Sequence, residues 1–175
     1  MVFNKSKTAC FSGYRPHKFD FPLTSNDKYE KLMATTYNFI VDAIGAGYDT
    51  FLTGAAPGYD ILCAELTQIA RRVRHKATRI IYALPYENFS DAHHFDEDWQ
   101  ARYDFISANC QEIINVTNSL NETEGCYQRR NEFMVDNSSL LICYHTGKAG
   151  GTDNTIRYAK DKGLTIINVA DSLMK

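Results

Sequence analysis

No stretch of this 175-residue sequence is apolar for more than a few residues, far short of the roughly 18 that a bilayer-spanning helix needs. Met1-Val2-Phe3-Asn4-Lys5-Ser6-Lys7 lacks the apolar stretch of a signal peptide, and a cytoplasmic location is expected. Excess charge is missing as well. Lys and Arg number 19 against 21 Asp and Glu, a net charge of −2, which gives no bulk attraction to nucleic acid or to an anionic membrane surface and argues against both as partners. The five cysteines, Cys10, Cys63, Cys110, Cys126 and Cys143, include no Cys-x-x-Cys pair and read as free thiols in a reducing compartment, not as disulfides or zinc ligands. There is no low-complexity segment, internal repeat or Gly/Ser/Pro-rich linker, and one domain spanning residues 1–175 is the expected organisation.

What is plentiful is aromatic side chain: 11 Tyr, 10 Phe and one Trp. Such residues fill cores or wall pockets for flat ligands. Short apolar runs at 8–12, 50–53, 79–84, 112–116, 139–144 and 164–169 read as six strands. Between them lie amphipathic stretches with helical spacing, such as Leu32, Thr36, Phe39, Ile40, Ala43 and Ile44. The alternation predicts an α/β fold: a three-layer α/β/α, Rossmann-like domain with a mostly parallel sheet of about six strands. In such folds ligands sit at the carboxyl ends of the strands.

The post-strand segments there have unusual chemistry. Ser12-Gly13-Tyr14-Arg15-Pro16-His17 offers a tight turn and a guanidinium fork suited to phosphate or carboxylate, or simply a turn with a surface Arg. Thr53-Gly54-Ala55-Ala56-Pro57-Gly58-Tyr59-Asp60 leads small residues into a helix N-terminus, an arrangement that favours anions. It is neither Gly-x-Gly-x-x-Gly nor a Walker loop. Asp60 either caps that helix or accepts a ribose hydroxyl. Thr146-Gly147-Lys148-Ala149-Gly150-Gly151-Thr152-Asp153-Asn154-Thr155 forms a second anion cradle. In Cys126 to Asp136, Arg129 and Asn131 are donors near a helix start, Phe133 and Met134 read as core, and Arg130 and Glu132 as a solvated face. The cluster Arg71, Arg72, Arg74, His75 and Lys76 complements a helix C-terminus. His93-His94-Phe95-Asp96 lacks metal-site spacing, so no metal is expected. Phe11, Phe39, Phe51, Phe133 and Tyr144 are assigned to the core, and Tyr14, Tyr59 and Tyr86 to a pocket.

Together, Phe11 to Lys18, the Thr53-Gly54-x-x-x-Gly58-x-Asp60 loop with Ala64-Glu65, Ala83-Leu84-Pro85-Tyr86 with Trp99 and Tyr103, Arg130-Asn131-x-x-Met134-Val135-Asp136, and Gly150-Gly151-Thr152 with Tyr158-Ala159-Lys160 resemble the YpsA-like branch of the SLOG superfamily. The resemblance implies a Rossmann-like fold that binds or senses nucleotides or nucleotide-derived ligands such as ADP-ribose derivatives. No other cofactor is required, and self-association is left open, since no surface stripe marks an interface. The superfamily also includes the Lonely-guy phosphoribohydrolases and the DNA-processing DprA proteins. Their phosphoribohydrolase signature, Pro-Gly-Gly-x-Gly-Thr-x-x-Glu, supplies a catalytic carboxylate. This chain has Ala149-Gly150-Gly151-Thr152-Asp153-Asn154-Thr155-Ile156-Arg157, without the third glycine or the Glu. Binding is therefore favoured over hydrolysis, with an N-glycosidase acting on nucleoside monophosphates or a related nucleotide sugar as the alternative and Asp60 and Glu65 as its candidate acids. The expected ligand contacts are Ser12, Gly13, Tyr14, Arg15, Gly54, Gly58, Tyr59, Asp60, Arg129, Asn131, Gly150, Gly151, Thr152 and Thr155.

Overall fold

The computed structural model describes residues 3–73, 77–92 and 95–173. At its centre six strands form one sheet: β1 (Thr8–Ser12), β2 (Thr50–Thr53), β3 (Arg79–Leu84), β4 (Glu112–Asn115), β5 (Leu140–Cys143) and β6 (Thr165–Asn168). Every pairing is parallel, and the spatial order is β4-β3-β2-β1-β5-β6. Five helices make the connections: α1 (Asp27–Gly45), α2 (Tyr59–Val73), α3 (Glu97–Ser107), α4 (Cys126–Asp136) and α5 (Gly151–Asp161). A short α6 (Val169–Leu173) follows β6.

The side-chain period of two divides the core. Ala9, Phe11, Phe51, Ile80, Tyr82, Leu140 and Ile142 point to one face, where Leu32 and Ile40 of α1, Leu62 and Leu66 of α2 and Ile106 of α3 cover them. Cys10, Leu52, Ile81, Ala83, Leu141 and Cys143 point to the other and meet Met134 and Val135 of α4 and Ile156 and Ala159 of α5. Phe11 stacks on Phe51 across β1 and β2, with ring centroids 5.7 Å apart, and full burial of each such ring contributes about 1.5–3 kcal/mol. Being covered on both faces is why the central strands read as unbroken apolar runs.

Helix starts follow local capping chemistry. Asn26 Oδ1 accepts from the backbone N–H of Lys28 and Tyr29, both at 3.1 Å, and Asp96 Oδ1 from that of Trp99 at 3.0 Å. The residue before α4 is Gly125 and the residue before α5 is Gly150, and no side chain caps either helix.

One boundary differs from the sequence reading: Val169 begins α6 instead of extending β6. Asn168 ends the strand. Its Oδ1 accepts from His145 N at 3.0 Å, and its Nδ2 donates to His145 O and Asp171 Oδ1, both at 2.9 Å. Arg74, His75, Lys76, His93 and His94, part of the basic cluster and of the metal question, lie outside the described residues. No described helix is long and apolar enough to cross a membrane.

The strand order positions the site. The chain builds outward from β1 to β4, then returns through α4 to place β5 on the opposite side of β1. The loops after β1 and β5 therefore diverge to opposite faces of the sheet and leave a crevice between them.

Candidate functional site

The crevice is held by side-chain contacts between the loops that flank it. Tyr14 Oη, after β1, accepts hydrogen bonds from Thr146 N at 2.9 Å and Lys148 N at 3.0 Å, after β5. Lys148 Nζ donates to Lys18 O at 2.6 Å, and Lys18 Nζ to Ala149 O at 3.1 Å. Thr152 Oγ1 at the start of α5 donates to Gly13 O at 3.0 Å. Beside these ties opens a cavity of about 330 Å³, whose walls include Arg15, Asp60, Tyr127, Arg130, Gly151 and Thr152. That volume lies at the small end of the roughly 300–1,000 Å³ range of ligand pockets.

The loop after β2 closes the back of the cavity. A Cβ at Gly54 would collide with the Arg130 guanidinium and the Asp60 carboxylate, so only glycine admits both. Gly58 has φ +99° and backs directly onto Tyr14 O. Between them Ala55 has φ 53°, a left-handed conformation uncommon for a residue with a Cβ. Thr53 Oγ1 steadies this turn, accepting from Ala55 N at 3.2 Å and donating to Asp60 O at 3.0 Å. Backbone strain held in this way concentrates at functional sites.

Two opposite charges are buried here. Arg130 is 5% exposed and Asp60 7%. Arg130 Nη1 donates to Gly54 O, and its Nε to Asn131 Oδ1 at 2.8 Å. The Asp60 carboxylate takes backbone hydrogen bonds from Ala56 and Gly13. Burial pushes its pKa up, against the pull of Arg130 and Arg15, and burial lowers that of Arg130, against the pull of Asp60. The cavity thus holds a carboxylate that can accept from hydroxyls and guanidinium groups that can face an anion, next to the uncapped N-terminus of α5.

Residues 9–168 match the YpsA family, described as the YspA SLOG family. This chain belongs to that family. Over 120 residues it is 29% identical to the uncharacterized SPbeta prophage-derived protein YoqJ of Bacillus subtilis (strain 168), covering 63% of this chain and 68% of that one. Two solved structures share the fold. DNA processing protein A from Helicobacter pylori, whose structure was reported for its unique single-stranded DNA binding mode, superposes with a TM-score of 0.60 at 12% identity. That match covers 98% of this chain and 73% of that one. DprA from Streptococcus pneumoniae gives a TM-score of 0.51 at 10% identity, over 98% of this chain and 62% of that one.

In this SLOG chain the residues singled out from the sequence separate into groups. Ser12, Gly13, Tyr14, Arg15, Asp60, Asn131, Gly151 and Thr152 come together on the cavity wall. Gly54 and Gly58 shape its back, Gly150 precedes α5, and Thr155 donates to Gly151 O at 2.8 Å and lines a neighbouring cleft. Four expectations need correction. Tyr59 is 1% exposed and packs its ring on Gly13, with its hydroxyl 3.3 Å from that of Thr36, so it is core and not a pocket wall. Tyr86 is also buried, its hydroxyl 3.3 Å from that of Tyr127. Arg129 is exposed and donates to Thr123 Oγ1 at 3.0 Å. Glu65 holds Arg102 bidentately at 2.8 and 2.6 Å, tying α2 to α3 away from the cavity.

Arg130 moves the other way, from a solvated face to the wall of the cavity, and Tyr127 joins it there. A signal for Arg130 was present in the sequence. It stands four residues after Cys126 and four before Met134, on the helix face that those buried residues define.

Proposed function

We propose that the cavity binds the phosphate-bearing part of a nucleotide or nucleotide-derived ligand, of which ADP-ribose derivatives are one class. The observation that carries this reading is the buried Arg130 and Asp60 opening together on a cavity beside the uncapped N-terminus of α5. Arg15, Arg130 and the first amides of α5 suit a phosphate, and Asp60 suits a sugar hydroxyl. Membership of the SLOG family and a fold shared with DNA-processing proteins support a ligand of nucleotide type. The alternative, N-glycosidic cleavage, has only Asp60 left as an acid in the cavity. Burial raises the pKa of that acid, while the facing Arg130 and two backbone hydrogen bonds favour the ionised form that accepts from a sugar hydroxyl.

Gly151→Asp separates binding from folding. A Cβ at 151 meets no atom within 4 Å, and an acidic residue in the first turn of a helix typically stabilises it by about 0.3–1 kcal/mol. The variant is expected to melt no lower than the wild type. A carboxylate on the cavity wall repels phosphate, so the thermal shift produced by ADP-ribose, AMP or NAD falls. A ligand at 100 times its Kd stabilises by about 2.7 kcal/mol, and a tenfold weaker Kd removes about half of that. Wild type unmoved by the whole panel, or a shift identical in Gly151→Asp, contradicts the proposal.

A further inference from the structure

A second and larger cavity, of about 570 Å³, occupies the cleft between α4 and α5. It joins the first at Tyr127, Asn131 and Gly151, which line both. The two compartments differ in charge. The inner one has Arg15, Lys18 and Arg130 against Asp60. The cleft has Glu132 and Asp161 against Arg157, whose guanidinium is already engaged by Asp153 at 3.2 Å and by Asn154 at 2.5 Å. An anion is favoured in the first and opposed in the second.

At the junction Tyr127 is fixed. Its hydroxyl donates to Glu122 Oε2 at 3.0 Å and lies 3.3 Å from that of Tyr86, while the Arg15 guanidinium sits 5.7 Å from the ring centroid. Arg15 lies over one face of this held ring and belongs to the anion compartment, and the face turned from it is the surface on which a flat, uncharged group can stack. Asn131 is oriented too, because its Oδ1 is occupied by Arg130 Nε, so the amide edge that remains for a ligand is the donor. Farther along, Gln128, Asn154 and Tyr158 add neutral polar lining.

We infer that the ligand is bipartite: its phosphate lies in the inner cavity and an uncharged nucleoside extends through the junction into the α4–α5 cleft, which selects against a second phosphate at that end. This rests on the anion-binding reading above and adds to it which end of the ligand goes where and what the far end is.

Calorimetric titration with three probes tests it: ribose 5-phosphate, which carries the anion without a base; AMP, with an anion and a neutral nucleoside; and adenosine 3′,5′-bisphosphate, which adds a second phosphate to the ribose of that nucleoside. AMP is expected to bind at least tenfold tighter than ribose 5-phosphate and tighter than the bisphosphate. In Glu132→Lys/Asp161→Lys the bisphosphate is expected to gain at least tenfold relative to AMP. Unchanged affinity for ribose 5-phosphate would show that the inner cavity and the fold are intact in this variant. Equal binding of ribose 5-phosphate and AMP by the wild type overturns the inference and leaves the inner anion site standing. An AMP-to-bisphosphate ratio that the double variant does not move, or a bisphosphate preference in the wild type, also overturns it. Failure of all three probes to bind overturns both readings.

Discussion

Arg130→Ala is expected to cost about 1–3 kcal/mol of unfolding free energy at neutral pH, the usual penalty for leaving buried polar groups without their partner. Arg130 satisfies Gly54 O, orients Asn131 and opposes the burial of Asp60. Without it, Asp60 stays in the same enclosed place with only Arg15 and two backbone groups to hold its charge. The pH dependence has a definite sign. Burial already raises the Asp60 pKa above its ordinary value, and removing Arg130 raises it further. A raised carboxyl favours the fold in its protonated form, so its contribution is complete below the unfolded value of about 3.9 and is lost as pH rises through the folded value. The deficit of the variant relative to the wild type should therefore widen from acid to neutral pH. Urea unfolding at both ends of that range measures it, and Arg130→Met/Asp60→Asn, which leaves no buried charge, should recover part of the loss. A deficit under about 1 kcal/mol, or one that is flat with pH, contradicts this account of the pair.

Gly54→Ala should destabilise by about 1–3 kcal/mol, as overpacking of a closed site does, and abolish ligand-induced stabilisation. The added methyl collides with the Arg130 guanidinium and crowds the Asp60 carboxylate, so either the arginine leaves or the loop after β2 moves. Gly151→Ala, where no atom lies within 4 Å of the added carbon, is the matched control and should lose no stability. Chemical unfolding of the two variants with and without AMP makes the comparison. If Gly54→Ala behaved like the control, the packing of Arg130 on Gly54 would be wrong.

The strands and helices were legible because burial on both faces leaves a plain record. β1, β2 and β3 are apolar runs ended at once by Gly13, by Gly54 and by Pro85, and their limits coincide with the sequence reading. α6 left no such record, since five residues are too few to display a period. In the cavity, the loops betrayed themselves through glycines that only close backbone approach explains. The side chains on helices were harder. Tyr59 adjoins Asp60 in sequence, but one step along a helix turns the side chain by about 100° and sends the tyrosine into the core. Glu65, five steps on, is off the Asp60 face for the same reason. Arg130 shares its helix face with Cys126 and Met134, which points it inward, but nothing local names its partner, Gly54, 76 positions away.

The return of the chain to β5 also governs when the pocket exists. Ser12 pairs with Cys143, and Tyr14 takes its hydrogen bonds from Thr146 and Lys148, partners that lie more than 130 positions apart in the chain. Closing so long a loop is slow and entropically costly, and it is repaid only when both ends dock. A partly folded species with β1 to β4 assembled would carry Arg15 and Asp60 but no floor of α5 and no wall of α4. A ligand bound as proposed would have nothing to grip in such a species, so it would slow the coming apart of the finished molecule and leave the rate of its making unchanged.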